Sequence, residues 1–205
     1  MHGIDYLEEE QSGKIIFEYI KENNIQFKNK NKACGLENVM YYCPKCHKEH
    51  TITSNNNTLT CTNCGFKLLI DINYQFKENE FNIKNLPEYY DLLRQYEQEN
   101  IKRGIDMSCE VRVVKFNFTK SSLNEKGYGK CYLNNNEFRF EGNLKVKEFT
   151  HNIKDLKALA FGCGEEFECY YDNELYYFYP TTNKSQCTKW ALIVDELQNN
   201  GENNE

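Results

Sequence analysis

Two Cys-x-x-Cys pairs, Cys43 with Cys46 and Cys61 with Cys64, are the residues of this chain best suited to chemistry, and fourteen residues separate them. Four thiolates at this spacing favour a tetrahedral zinc site, because each short turn places two sulfurs on one edge of the tetrahedron. The gap is slightly shorter than the usual range, which indicates a compact zinc ribbon. The alternatives are two disulfides or buried free thiols. We predict one structural zinc ion with these four cysteines as its metal ligands.

The residues beside the second ligand, Cys46, allow two alternatives to a four-cysteine structural site: a mixed cysteine–histidine shell and a catalytic zinc. His47 and His50 are either zinc ligands in a mixed shell or surface residues of the hairpin. A zinc-dependent enzyme would need an open coordination position and a nearby general base, for which Glu49 is the nearest carboxylate in sequence. Four thiolates close the shell, so the pattern predicts no catalytic residue and no cofactor site other than the zinc.

Hairpin and helix signals surround the cysteine pairs. Threonine-rich strands flank the turn at 55–57, and period-two alternation over 68–76 predicts a further strand. A strand over 39–42 leads into the first pair. A helix is predicted over about 5–24, with an apolar face formed by Ile15, Ile16, Tyr19 and Ile20. A second helix over about 86–103 starts at a capping box of Asn85 with Glu88 and ends at Gly104.

Three lysines alternate with asparagines at 28–32. Such a stretch is typical of a polar surface loop. A contact between these lysines and phosphate is the alternative, and the sequence leaves it open.

The zinc ribbon and its flanks resemble a region that follows the catalytic domain in some bacterial 1-acylglycerol-3-phosphate acyltransferases. The resemblance covers about 5–105 and is carried by Cys34-Gly35-Leu36-Glu37-Asn38, Tyr42-Cys43-Pro44-x-Cys46, Cys61-x-x-Cys64-Gly65 and Leu86-Pro87-x-x-Tyr90. The family has tryptophan where this chain has Tyr90. Its catalytic His-x-x-x-x-Asp signature is absent at all four histidines. The resemblance therefore implies an accessory region without an active site, either a C-terminal piece of a longer enzyme or a free-standing relative.

The second half of the chain is rich in strand signals and ends in a helix. Seven strands are predicted within 111–118, 129–133, 137–140, 148–153, 158–161, 166–171 and 175–179. A helix over about 184–198 carries Trp190, Ile193, Val194 and Leu197 on an apolar face.

Seven strands closed by one amphipathic helix resemble the pleckstrin-homology-like superfold, including its GRAM-type members. In that fold the helix plugs one end of the barrel, which assigns the plug to Trp190. Some members bind lipid headgroups through basic residues on their first strands. The corresponding basic residues here are a thin set, interleaved with acidic ones: Lys115, Lys120, Lys126, Lys130 and Arg139.

Charge and cysteine usage narrow the class of protein. The formal net charge is −6, and neither half is basic, which argues against a dedicated nucleic-acid binder. The other six cysteines stand singly, which beside a zinc site predicts reduced thiols and a cytoplasmic location. No signal peptide and no apolar run long enough to span a bilayer is visible. A peripheral position at the inner membrane face remains open.

Together these patterns predict an α+β protein with an N-terminal helix, a four-cysteine zinc ribbon with a connecting helix, a PH/GRAM-like seven-stranded β-barrel and a C-terminal helix as cap. The predicted domains are 1–37, 38–105 and 106–199, with a disordered tail at 200–205. The predicted function is a non-catalytic accessory or interaction module of a phospholipid-synthesis acyltransferase. A free-standing protein–protein interaction protein, related to transcription, is the alternative. The expected partner is a protein or the chain's own upstream acyltransferase domain; a membrane lipid is a weaker candidate, and no nucleic acid is expected.

Overall fold

The computed structural model describes residues 6–117, 122–142, 148–156 and 158–202. The chain forms two compact units, Met1–Leu93 and Arg94–Glu205. Over these described residues the fold is mixed α+β, with three α-helices, a small zinc-ribbon sheet and a seven-stranded curled half-barrel sheet, as predicted.

The first unit is built around a three-stranded antiparallel sheet. Helix α1 spans Tyr6–Glu22, and strands β1 (Ile52–Asn55), β2 (Thr58–Cys61) and β3 (Lys67–Leu69) follow in spatial order. The β1–β2 hairpin turns at Asn56, whose φ of 51° is left-handed and suits asparagine. The predicted hairpin around 55–57 is therefore present.

Two predictions for the first unit are wrong in detail. The predicted strand over 39–42 does not form: a 3₁₀ turn at Leu36–Asn38 precedes this stretch, and within 39–42 only Tyr42 makes an isolated bridge, to Glu49. The predicted apolar face of α1 is buried at Ile20 alone, and its other members, Ile15, Ile16 and Tyr19, are exposed.

The predicted strand over 68–76 is interrupted after β3. Asp71 folds the chain into a turn, because its Oδ1 accepts hydrogen bonds from the backbone N–H groups of Asn73 (2.8 Å) and Gln75 (2.9 Å). Aspartate side chains compete in this way with a strand ladder. The turn closes through an isolated bridge between Ile70 and Phe76, so the alternating pattern describes a small hairpin and not one long strand.

Helix α2 spans Leu86–Arg103, as predicted. Asn85 caps it, since its Oδ1 accepts the N–H of Glu88 at 3.0 Å, while Glu88 reaches back to the N–H of Lys84 at 2.7 Å. Gly104, with a φ of 92°, ends the helix in the left-handed conformation that glycine adopts without strain.

Asn85→Ala is expected to lower the free energy of unfolding by about 1 kcal/mol, because it leaves the Glu88 N–H without its cap. Urea unfolding followed by circular dichroism measures the loss. Asn85→Ser retains a capping oxygen and serves as the control. Equal stability of the alanine variant and the unchanged protein would contradict the capping role.

The second unit contains one antiparallel sheet of seven strands and helix α3 (Gln186–Glu202). The strands of this sheet lie in the spatial order β7-β6-β5-β4-β10-β9-β8, so that β4, the first strand of the unit in sequence, pairs with β10, the last. The strands are β4 (Asp106–Asn117), β5 (Ser122–Asn134), β6 (Glu137–Gly142), β7 (Phe149–Asn152), β8 (Ala160–Gly162), β9 (Glu166–Tyr171) and β10 (Glu174–Pro180). All seven predicted strand regions correspond to these elements.

Aromatic rings fill the concave side of this sheet. Trp190 of α3 is fully buried and stacks on Phe167 with ring centroids 5.3 Å apart and planes inclined by 7°. The rings of Trp190 and Phe138 are nearly perpendicular, with centroids 6.0 Å apart. Such aromatic pairs add stability beyond the area they bury. The helix therefore closes the half-barrel through Trp190, as predicted.

The second half of α2 belongs to this unit and brings polar groups to α3. Glu97 is fully buried, 4.0 Å from the Nζ of Lys189 and 2.9 Å from the Nδ2 of Asn100. Arg94 pairs with Asp195 at 3.2 Å and with Glu196 at 3.1 Å. These pairs favour the observed contact between α2 and α3, because separating the helices would leave the buried carboxylates of Glu97 and Glu196 without their cations.

Candidate metal centre

The two Cys-x-x-Cys turns have the same backbone geometry. In the first, the N–H of Cys43 donates to the Lys48 carbonyl and the N–H of His47 donates to the Cys43 carbonyl, both at 2.9 Å. In the second, the N–H of Cys61 donates to the Phe66 carbonyl at 2.8 Å and the N–H of Gly65 donates to the Cys61 carbonyl at 2.9 Å. Each turn thus aims two sulfurs at a common point.

The four sulfurs meet as a single cluster. All lie within 4.8 Å of one another, with Sγ–Sγ distances of 3.6 Å between Cys43 and Cys64 and 3.7 Å between Cys46 and Cys61. A tetrahedral ion with Zn–S bonds of about 2.3 Å requires sulfurs about 3.8 Å apart. The donor set and its spacing therefore fit zinc.

The surroundings of the sulfurs differ in polarity. Burial is the main cause that raises the pKa of the Cys43 thiol, to about 12. Burial also opposes ionisation of Cys61, but hydrogen bonds from the Thr51 hydroxyl and from backbone N–H groups lower its pKa to about 6. A divalent cation is needed to hold all four groups as thiolates at once, because like charges this close repel strongly.

Both histidines considered as ligands lie outside the cluster, which among the described residues consists of cysteines alone. The Nδ1 of His47 shares a hydrogen bond of 2.5 Å with the Tyr42 hydroxyl. The Nε2 of His50 lies 3.7 Å from Glu49. The carboxylate considered as a general base therefore faces a histidine.

His47 has a structural role that the sequence pattern did not indicate. It has a φ of 58°, and Gly65 has a φ of 73° at the equivalent position of the second turn. A left-handed conformation is uncommon for residues other than glycine. The hydrogen bond to Tyr42 anchors the imidazole ring of His47. Alignment of the two Cys-x-x-Cys turns pairs His47 with Gly65 and would have indicated its left-handed backbone.

Helix α2 supports the metal centre through Tyr89, a residue of its first turn. Tyr89 is fully buried, and its hydroxyl donates to the carbonyl of Tyr42, the residue before the first ligand. Burial raises the pKa of Tyr89, so the hydroxyl keeps its proton and acts as a donor.

All ten cysteines lie in the described part of the chain, and none of them forms a disulfide there. Six of them lie outside the metal cluster. Cys34 and Cys163 are exposed, whereas the other four lie in the second unit and are buried: Cys109, Cys131, Cys169 and Cys187.

The basic residues considered for headgroup binding are largely paired. Lys115 bonds Glu174, Lys130 lies 3.9 Å from Glu110, and Arg139 pairs with Glu141. Lys120 and the side chain of Lys126 lie outside the described residues.

Comparison with known families identifies the metal-binding region. Residues 36–71 match a zinc-ribbon family. The description of that family is DNA directed RNA polymerase, 7 kDa subunit. The matched range includes all four cysteines and supports one structural zinc ion, but it is a small part of the 205 residues. No curated protein matches the chain.

None of the helices in the described ranges combines the length and the apolar character that crossing a bilayer requires.

Proposed function

We propose that this chain is a non-catalytic interaction module in which one zinc ion, held by the four cysteines, shapes a protein-binding surface. The observation that carries the proposal is the cluster of four sulfurs within 4.8 Å. Catalytic zinc normally has three protein ligands and leaves the fourth position to water or substrate. Here a fourth thiolate takes that position, which favours a structural ion.

The first candidate partner is a phospholipid-synthesis acyltransferase, as a separate protein or as an upstream domain. The sequence resemblance over about 5–105 supports this assignment. Its last motif, Leu86-Pro87-x-x-Tyr90, forms the beginning of α2 and includes Tyr89, whose hydroxyl donates to the carbonyl of Tyr42. The motif thus lies where α2 supports the zinc ribbon.

The alternative is a free-standing interaction protein related to transcription. The match of residues 36–71 to a family described as an RNA polymerase subunit favours it. The chain's net charge of −6 favours a protein partner over nucleic acid within this alternative.

The proposal includes a PH/GRAM-like second unit and a cytoplasmic location. The PH/GRAM-like fold is supported by the antiparallel sheet in which β4 adjoins β10 and by the packing of α3 over its core. The six unpaired thiols outside the metal cluster support the cytoplasmic location. A lipid surface is a weaker partner for this unit, since Lys115, Lys130 and Arg139 already have carboxylate partners.

The isolated chain is expected to show only background transfer from an acyl-thioester to lysophosphatidic acid, because it has no His-x-x-x-x-Asp motif. A complete acyltransferase assayed in parallel is the positive control. Turnover by the isolated chain that disappears when a residue of this chain is mutated would contradict the accessory role.

A binding experiment decides between the two partners. The zinc-loaded chain is immobilised and exposed separately to an acyltransferase catalytic domain and to RNA polymerase from the same source. Saturable binding to the acyltransferase domain supports the accessory role, and saturable binding to RNA polymerase supports the role related to transcription. Binding to neither would overturn both assignments. A chain stripped of zinc is the control, and it should lose the interaction because the ribbon needs its metal to fold.

A further inference from the structure

The lysine loop, residues 28–32, is folded and fixed to the zinc-ribbon hairpin. The side chain of Asn29 accepts the N–H of Asn31 at 2.8 Å. The N–H of Lys32 donates to Oδ1 of Asn57 at 3.1 Å, and the N–H of Ala33 donates to the carbonyl of Asn56 at 3.0 Å. These bonds preorganise Lys32 beside the hairpin turn.

Lys32 is a buried lysine whose ammonium group contacts a backbone carbonyl. Its side chain is 6% exposed, and its Nζ donates to the carbonyl of Asn29 at 2.7 Å. Among the described residues, no carboxylate forms an ion pair with it. An ammonium group has three donors, and a buried charge without a partner is costly. Lys32 therefore has unused capacity to bind an anion.

Lys32 lines an open cavity of about 340 Å³. This volume lies at the lower end of the range for small-molecule sites. Lys77 and Asn57 add a second cation and an amide, and Leu69 and Ile72 form an apolar wall. These two apolar side chains are 40% and 49% exposed. The cavity thus combines a basic end with an apolar side that is open to solvent.

The charge at this cavity is opposite to that of the whole chain. Lys28 and Lys30 are exposed in the lysine loop, next to the two lining lysines. The lining carboxylate is Asp71, whose Oδ1 already accepts two backbone N–H groups. A chain with a net charge of −6 therefore concentrates positive charge here.

We propose that this cavity binds a phosphate group that carries a short apolar substituent. Lysine binds phosphate as a point charge, and a phosphate monoester has nearly two negative charges at neutral pH, which matches two lysines. The apolar wall receives the substituent. The phosphate belongs either to a soluble phosphorylated molecule or to the headgroup of an anionic lipid.

The experiment titrates the zinc-loaded full chain with short-chain phosphatidic acid by isothermal calorimetry, with inorganic phosphate as competitor and hexanoate as a carboxylate comparison. Phosphatidic acid is expected to bind and inorganic phosphate to compete. Lys77→Met and Lys32→Met are each expected to weaken binding roughly ten-fold or more, since each removes a charge-assisted contact. Lys154→Met removes the same charge from an exposed position of the second unit and should bind like the unchanged chain.

Vesicles with and without phosphatidic acid distinguish the two sources of phosphate. Binding to the acidic vesicles assigns the site to a lipid headgroup, and binding to the short-chain ligand alone assigns it to a soluble molecule. Zinc content and circular dichroism report whether Lys32→Met folds; if it does not, exposed Lys77 decides. The proposal is overturned by absent binding, by equal binding of Lys77→Met and Lys154→Met, or by hexanoate binding as tightly as the phosphate ligand.

Discussion

Cys43→Ser is expected to remove most of the bound zinc and to unfold the ribbon. Cys43 is buried, and its sulfur lies 3.6 Å from that of Cys64, so serine cannot take its place at the Zn–S distance. The binding free energy of structural zinc in small domains, about 10–16 kcal/mol, is comparable with their whole folding free energy. Metal analysis of protein purified without added zinc should fall from about one equivalent to far below it.

Cys34→Ser provides the matched control, because it is the same chemical change at an exposed thiol outside the cluster. It should keep the zinc and the fold of the unchanged chain. His47→Gly should also keep both, since glycine accepts the left-handed backbone found there and the histidine is not in the cluster. Equal zinc content in the Cys43 and Cys34 variants would contradict the assignment.

Trp190→Ala is expected to lower the free energy of unfolding of the second unit by about 3–5 kcal/mol. The indole is fully buried between Phe167 and Phe138, and its removal leaves a cavity that rigid aromatic neighbours cannot fill. That loss is a large share of the stability of a small domain. Hydrogen exchange of peptides from β9 and α3 measures it in this unit.

Tyr128→Ala is the control for the tryptophan variant, because Tyr128 is an exposed aromatic residue of the same sheet. It should change stability by less than about 0.5 kcal/mol. The unchanged protein has a single tryptophan, and its emission should be blue-shifted and poorly quenched by acrylamide. Red-shifted, readily quenched emission from folded protein would contradict a buried Trp190.

Elements with local signals at both ends were predicted well. The approximate limits predicted for helix α2 agree with the observed ones, because Asn85 and Glu88 mark its start and Gly104 its end. Strand β9 was also predicted at its observed limits. The cysteine spacing identified the four members of the metal cluster, since short-range geometry alone brings each pair together.

Features that depend on specific side-chain bonds or on tertiary packing were not predicted. Asp71 captures two backbone N–H groups and breaks a strand whose alternation was otherwise regular. The apolar pattern of α1 did not indicate that Ile15 and Ile16 would be exposed. Glu97 occupies a position in an otherwise apolar stripe of α2, and its partner Lys189 is far away in sequence.

X-ray absorption at the zinc edge of the purified chain tests the metal centre most directly. The structure requires four sulfur neighbours at about 2.3 Å and a single zinc per chain. A nitrogen neighbour at about 2.0–2.1 Å would show that a histidine completes the shell, and the cluster of four cysteines would then be wrong. A chain that binds no zinc and joins these cysteines in disulfides would contradict the structural role of the metal altogether.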